Sequence, residues 1–421
     1  MAKIAIIGTG IAGMACGHFL TAQHELTFYE KNDYVGGHTN TITVDEAGVP
    51  VRIDTGFIVY NLVTYPNLVR LFDELQVETV PSSMSFSVNH QPSGLEYCGS
   101  GLNGLFAQRR NLLNPGFVRL LLEINRFNNE CPKLLDSDPD AALTLTDYAR
   151  KNRYSASFLE KYLLPMSSAI WSTEPDVMLG FPAVTLARFF KNHGLLGLNG
   201  HYQWRTVKNG SWSYRDKLIA PFRERILTRR AAVAVTRSQG QAVVTDSEGQ
   251  QATYDKVILA CHADQALALL CEPTETEARL LRFFRYQTNR AALHSDESVM
   301  PMTRRTWSAW NYRLDYDSQQ TVPPTTVYYM NRLQPLNGQR NYFVSINESR
   351  TLDAAKIHYE TVYEHPVFSA AAIQAQKELP QLNKNGVTYF CGSYFKYGFH
   401  EDALTSALDV CRALTGERLW G

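Results

Sequence analysis

Gly8, Gly10 and Gly13, with Glu30 at the end of the next apolar run, are the residues of this chain whose types and spacing most directly specify chemistry. They stand in KIAIIGTGIAGMACGHFLTAQHELTFYE, where a short apolar run suits a buried parallel strand, a GxGxxG turn follows, and Met14 to Gln23 continues at helical spacing. Gly8 allows a tight turn, Gly10 lets backbone approach a pyrophosphate, and Gly13 lets the helix pack on the strand. The first helical turn, with Ile11 and Ala12, turns its amide N–H groups and partial positive charge toward phosphate. Glu30, with Lys31 beside it, lies at the separation expected of an acid that accepts hydrogen bonds from an adenosine ribose. The chemistry is dinucleotide binding, and strand, turn, helix, strand and acid occur in the order it requires.

The elements that follow decide which dinucleotide. After Glu30 comes KNDYVGGHTNT, with Gly36 and Gly37 followed by His38 and Thr39, and then VRIDTGFIVYN, a strand-like run containing Thr55, Gly56 and Phe57. Alone, the glycine pair is an ordinary turn. Behind an acid, it resembles the extended fingerprint of FAD enzymes of the amine oxidase and protoporphyrinogen oxidase superfamily, in which the second glycine pair also approaches the FAD phosphates. That resemblance implies an α/β, two-dinucleotide-binding-domain, Rossmann-like flavoprotein with an inserted α+β substrate domain.

Composition sets outer limits. With 421 residues and 44% apolar content the chain can bury a large core, and a net charge of +0 offers no electrostatic case for nucleic acid. The first strand begins at residue 3, leaving no room for a signal peptide, and no apolar run approaches the roughly 18 residues of a spanning helix, so a cytoplasmic protein is expected. Seven cysteines without a CxxC pair suggest neither a disulfide framework nor a zinc site, and no metal is expected.

The chain leaves the nucleotide domain and returns to it twice. Residues 1–80, 206–265 and 386–421 are expected to form the FAD-binding domain, and residues 81–205 and 266–385 the substrate domain, the first of these inserts reading as helical. The stretch from Ala232 alternates as short strands and is similar to the three-stranded unit of two-dinucleotide flavoproteins, where backbone near Ala232 and Val233 meets the adenine. The last return, GVTYFCGSYFKYGFHEDALTSAL, is a strand ending at Gly392 and Ser393, an aromatic loop, and a helix opened by Glu401, Asp402 and Ala403. An acidic first turn is also routine helix-start chemistry. In the superfamily this segment brings N–H donors toward the flavin N1 and C2 carbonyl, where negative charge gathers on reduction.

Over nearly its whole length the chain resembles the FAD-dependent, amine-oxidase-like family that also forms the N-terminal domain of plant cyclopropane fatty acid synthases. The resemblance is carried by EKNDYVGGHTNT, DTGFIVYNLVTYPNL, MSFSV, LFAQRRNLLNP, HSDESVMPMTRRTWSAWNY and FCGSYFKYGFHEDAL. It implies FAD and a lipid context. The HSDESVMPMTRRTWSAWNY block should cross to the flavin, offering His294 as base with Asp296 as its orienter, and Trp310; a capped turn beside a strand fits the same residues. Tyr397 and His400 are further candidates in the aromatic loop. Two departures from amine oxidases are visible: residues 290 to 312 contain no lysine to hold a water at N5, and Phe399 stands where many place a cage tyrosine. The usual pattern of a covalent flavin cysteine is absent, and Cys391 and His38 are the residues open to attachment.

Three functions fit: oxidation of a lipid or fatty acyl chain by hydride transfer to flavin, amine oxidation, or a non-turning-over accessory role for a lipid methyltransferase partner. The apolar FVRLLLEINRF, flanked by Arg109, Arg110 and Arg119, suits either a buried helix face or a peripheral membrane contact.

Overall fold

The KIAII run is the middle strand, Lys3–Ile7, of a five-stranded sheet in the computed structural model, which describes residues 1–136, 143–197, 202–315, 324–384, 386–416 and 419–420. The strand order is Ile226–Leu227, Glu25–Tyr29, Lys3–Ile7, Lys256–Leu259, Thr388–Phe390, and every neighbouring pair is parallel. Ile4, Ala5 and Ile6 are completely buried, as expected of a parallel strand covered on both faces. The helix Ile11–Leu20 follows the glycine turn. Gly8 has φ +99, a left-handed conformation that a side chain resists. Gly13 lies so close to it that an added Cβ would sit 2.0 Å from the Gly8 carbonyl oxygen.

The helix His400–Thr415 packs on this first helix, and Glu401 reaches from it to accept the Asn67 and Leu68 amides at 3.0 and 2.9 Å, opening the helix Pro66–Glu74. The returning stretch forms a three-stranded antiparallel meander, Ala232–Ser238, Gln241–Asp246 and Gln251–Tyr254. A seven-stranded mixed sheet runs Ile357–Val367, Arg285–His294, Phe343–Ile346, Thr325–Tyr329, Trp310–Leu314, Phe86–His90, Leu95–Cys98. Helices between Gly101 and Asn192 cover it, centred on Phe127, whose ring meets those of Tyr148, Tyr154, Phe158, Tyr162 and Phe190 at 5.5 to 6.2 Å.

Two local readings change. The first insert begins with strands rather than helices: Phe86–His90 and Leu95–Cys98 are buried on both faces, and their polar residues find partners inside, as Ser87 does at Asn311 Oδ1, 2.8 Å away. Such a strand lacks the alternation that marks one on the surface. TTVYYMNRL divides into the strand Thr325–Tyr329 and a short helix, Met330–Leu333.

Asp54 joins the layers. Its buried carboxylate accepts from Thr41 Oγ1 within the hairpin Thr41–Asp54, and from the Ser211 amide and hydroxyl and Gln334 Nε2, three donors that tie that hairpin to the segments at 211 and 334. Burial pushes its pKa up to about 6, against the pull of those donors. No described helix is long and apolar enough to cross a membrane.

Candidate active site

A parallel sheet exposes its unpaired groups at the carboxyl ends of its strands, and ligands collect there, at the point where strand order reverses. Gly8, Glu30, Ala260, Cys261 and Gly392 all lie just past such ends, and all line one cavity of about 1550 Å³. A single small ligand occupies roughly 300 to 1,000 Å³, so this space suits a dinucleotide with a second molecule beside it.

At the nucleotide end the wall is made of Gly8, Gly10, Ile11, Ala12, Glu30, Lys31, Gly36, Gly37, His38, Ala232 and Val233. A Cβ added at Gly10 would meet no atom within 4 Å, so the backbone there borders open space, and one added at Gly37 would approach the Gly10 Cα at 3.3 Å. The two glycine turns form one cradle. The Glu30 carboxylate is held by the Thr9 amide at 3.1 Å, the Thr9 hydroxyl at 2.6 Å and the Asn32 amide at 2.9 Å, leaving lone pairs toward the cavity for ribose hydroxyls. Thr9 and Asn32 also line the wall; the GxG spacing already contains Thr9, but nothing in its type announces the bond to Glu30.

The middle of the cavity is bounded by Gly56, Phe57, Tyr363, His365, Gly392, Ser393, Tyr394, Phe399, His400 and Ala403. His400 stacks on Phe57 at 3.9 Å, and its Nε2 is 2.6 Å from the Tyr214 hydroxyl, which meets Thr39 Oγ1 at 2.5 Å. His38 stacks on Tyr363 at 4.7 Å and lies 5.3 Å from His365. Burial holds His400 down at about 3 and His365 at about 4, and drives His38 well below its ordinary value, so these imidazoles are neutral at physiological pH. His38 Nε2 has no hydrogen-bond partner among the described residues, as expected of a group that serves a bound molecule. The residues therefore fit FAD: a phosphate cradle, a ribose acid, and neutral polar groups around a flat central space.

Thr39, Thr55, Glu401 and Asp402 stand behind this lining rather than in it. Thr55 Oγ1 is 2.8 Å from the Tyr363 hydroxyl, Glu401 anchors the Asn67 turn, and Asp402 accepts from the Tyr397 and Phe399 amides at 3.2 and 2.9 Å. Asp402 is buried, which pushes its pKa up to about 7, and it fixes the loop that carries Phe399 and His400.

His294 and Asp296 are not at the cavity. Tyr286, near the start of Arg285–His294, lines it, and His294 lies eight residues on, about 26 Å along an extended strand. His294 Nδ1 accepts the Asp296 amide at 3.1 Å and Nε2 meets Ser345 Oγ at 2.8 Å; burial lowers the ring to about 4. The Asp296 carboxylate faces the Asp353 and Ser298 amides and Lys356, which overcome its burial and hold it at about 2. This is the capped turn, not a base and its orienter.

Trp310 and Tyr397 do line the cavity, at its far end. Around them stand Met84, Phe86, Leu105, Met166, Ile170, Trp171, Phe189, Leu195 and Tyr328, drawn from both inserts. Trp310 and Tyr328 pair across adjacent strands with ring centroids 5.1 Å apart, and Phe189 stacks on Phe399 at 5.0 Å. Most of these residues carry no signal in sequence, because an apolar side chain in a helix reads identically whether it meets core or cavity. The charged lining residues are Glu30, Lys31 and Glu364, the last beside His262 and influenced by Lys31.

A model of flavin containing amine oxidoreductases matches residues 11–292, more than half of the chain. The chain belongs to the flavin containing amine oxidoreductase family. It is an FAD-dependent oxidoreductase. The 15-cis-phytoene desaturase of Synechococcus elongatus is 36% identical over 77 residues, which span 18% of this chain and 15% of that protein. A putrescine oxidase redesigned at its cofactor site has the same fold, with a TM-score of 0.70 at 14% identity over 99% of both chains. So does a fatty acid isomerase from P. acnes, with a TM-score of 0.68 at 14% identity over 98% of both.

Proposed function

We propose that this flavoprotein oxidises a lipid or fatty acyl chain. The fold does not choose, since it is shared by a putrescine oxidase and a fatty acid isomerase. The observation that carries the reading is the lining of the far end: Met84, Phe86, Leu105, Ile170, Trp171 and Phe189 supply apolar surface, and no described carboxylate lines that end to receive an ammonium group. No lysine lies between residues 290 and 312, and the one lysine of the lining, Lys31, is at the nucleotide end. The resemblance to the flavin domain of plant cyclopropane fatty acid synthases supports the same substrate class.

Bound FAD supplies a hydride acceptor at N5. The protein's own residues do the rest. Gly8, Gly10, Gly37 and Glu30 hold the nucleotide, and Ala403 with the first turn of His400–Thr415 closes the central space. The aromatic wall excludes water and aligns the chain so that one carbon faces the centre. Neutral His400, bonded to Tyr214, keeps positive charge away from the reacting carbon.

Anaerobic stopped-flow reduction with free fatty acids and phospholipids against simple amines and polyamines tests this. Bleaching by acyl chains is expected. Rapid reduction by amines with no response to any lipid would make the protein an amine oxidase, and a flavin reduced by neither would favour the accessory role beside a lipid methyltransferase.

A further inference from the structure

The cavity's apolar end opens on an unusual piece of surface. Gly101 and Leu102 line the cavity, yet Leu102 is 75% exposed, so it stands on the rim. From there the chain runs through the short helix Gly101–Leu105, a turn at Arg109–Leu113 and the helix Pro115–Glu130. Along this path Leu112, Leu113, Val118 and Leu122 are exposed, Leu113 at 90%. Met302, 93% exposed, belongs to the loop before Arg304–Thr306, which packs against Gly101–Leu105. Large aliphatic side chains gathered on a rim, rather than scattered singly, mark a surface that meets something apolar.

The charges say what that is. Residues 97 to 122 contain no aspartate or glutamate and three arginines. Arg109 bonds to the Phe106 carbonyl and Asn103 Oδ1, and Arg110 to the Gly94 carbonyl, all neutral oxygens that leave the positive charge uncompensated. Arg119 faces Glu123 at 3.6 Å and Arg304 pairs with Glu297 at 2.9 Å, while the carboxylate of Glu96, just before this stretch, is buried beneath the rim and accepts the Met302 and Thr303 amides at 3.0 and 2.8 Å, so the exposed surplus is at Arg109 and Arg110, beside Leu112 and Leu113. Two copies of this face would oppose like charges, which argues against a symmetric dimer through it. Aliphatic side chains flanked by unpaired arginines match the acyl and headgroup layers of an anionic bilayer.

We infer that the rim formed by Leu102, Leu112, Leu113 and Met302 with Arg109 and Arg110 docks on an anionic membrane surface, so that the cavity takes its substrate from the bilayer. The inference rests on the acyl-substrate reading only for what passes through the rim; docking itself is a separate property, read without turnover.

Flotation of the FAD-loaded protein with phosphatidylcholine vesicles, with and without phosphatidylglycerol, tests it. Binding is expected to the anionic vesicles and to weaken with salt. Each lost arginine should reduce affinity about five-fold, so the R109Q/R110Q double variant should lose about 25-fold. L112D/L113D should no longer float, while its flavin absorbance and its reduction by a soluble short acyl chain stay unchanged. No flotation with anionic vesicles, or flotation indifferent to both double variants, would overturn the inference. So would concentration-dependent self-association that L112D/L113D removes. Vesicle binding without reduction by any lipid would sink the substrate reading and leave the docking surface standing.

Discussion

The two ends of the cavity are built by different rules. The nucleotide end is mostly backbone: Gly8 to Ala12 and Glu30 to His38 supply most of it, and the Glu30 carboxylate is held by Asn32, two residues on, and by Thr9, in the turn one strand–helix–strand unit back. The far end is side chain and long-range, assembled from residues near 84, 105, 170, 189, 310 and 397. The first has almost no freedom to change, because its shape is the path of the main chain. The second can be resurfaced by any helix that offers a different residue.

The largest effect should come from the crowded turn. Gly13→Val forces a branched side chain into the space 2.0 Å from the Gly8 carbonyl, and overpacking of that kind should cost about 3 kcal/mol or more and remove bound flavin. Chemical denaturation with the flavin absorbance ratio checks it, and a variant that retains both would show the cradle to be less rigid than its geometry implies. Next is Glu30→Ala: charge-assisted hydrogen bonds contribute about 1.5 to 3 kcal/mol, so FAD affinity should fall roughly 10- to 150-fold by titration of the apoprotein, with the far end unaffected.

Between the two ends, the neutral imidazoles predict an acid weakness. His400 has a folded pKa of about 3, below the unfolded value of 6.5, so its contribution is present above pH 6.5 and is lost as pH falls toward 3. At pH 5 the loss should be on the order of 2 kcal/mol. His400→Gln should therefore shrink the drop in unfolding midpoint between pH 7.5 and pH 5, in roughly that proportion. An unchanged drop would assign the acid sensitivity to other buried imidazoles, His38, His365, His294 and His193. The smallest increment is at the far end: each methylene added to an acyl substrate should tighten binding by about 0.8 kcal/mol, close to four-fold, until the pocket is full. Dissociation constants from the concentration dependence of flavin reduction read it, and a flat series would place the chain outside the cavity.

The same division explains what was legible in the sequence. Gly8, Gly10, Gly13 and Glu30 were readable because the chemistry lies in spacing along one strand, turn and helix, and local spacing survives folding. The seven-stranded sheet was only partly readable, since Phe86–His90 and Leu95–Cys98 bury both faces and Ser87 and Asn89 sit inside it. His294 and Asp296 have the right types at a plausible spacing for a base and its orienter. Which end of a ten-residue strand meets the cavity is fixed by its neighbour, where Gln287 pairs with His365, and no property of His294 itself records that register. The tethers Thr39, Thr55, Glu401 and Asp402 were found as residues of the site, but a sequence does not distinguish a wall from the post behind it.

The helix His400–Thr415 covers the first helix of the chain and provides His400 and Ala403 to the central space, while the sheet that presents Gly8 takes in Thr388–Phe390 as an outer strand. The cradle and the wall of the central space are thus contributed by stretches far apart in the chain and joined only by packing. A cut in any loop between them would leave each as half of a clasp, held to the other by buried apolar surface alone.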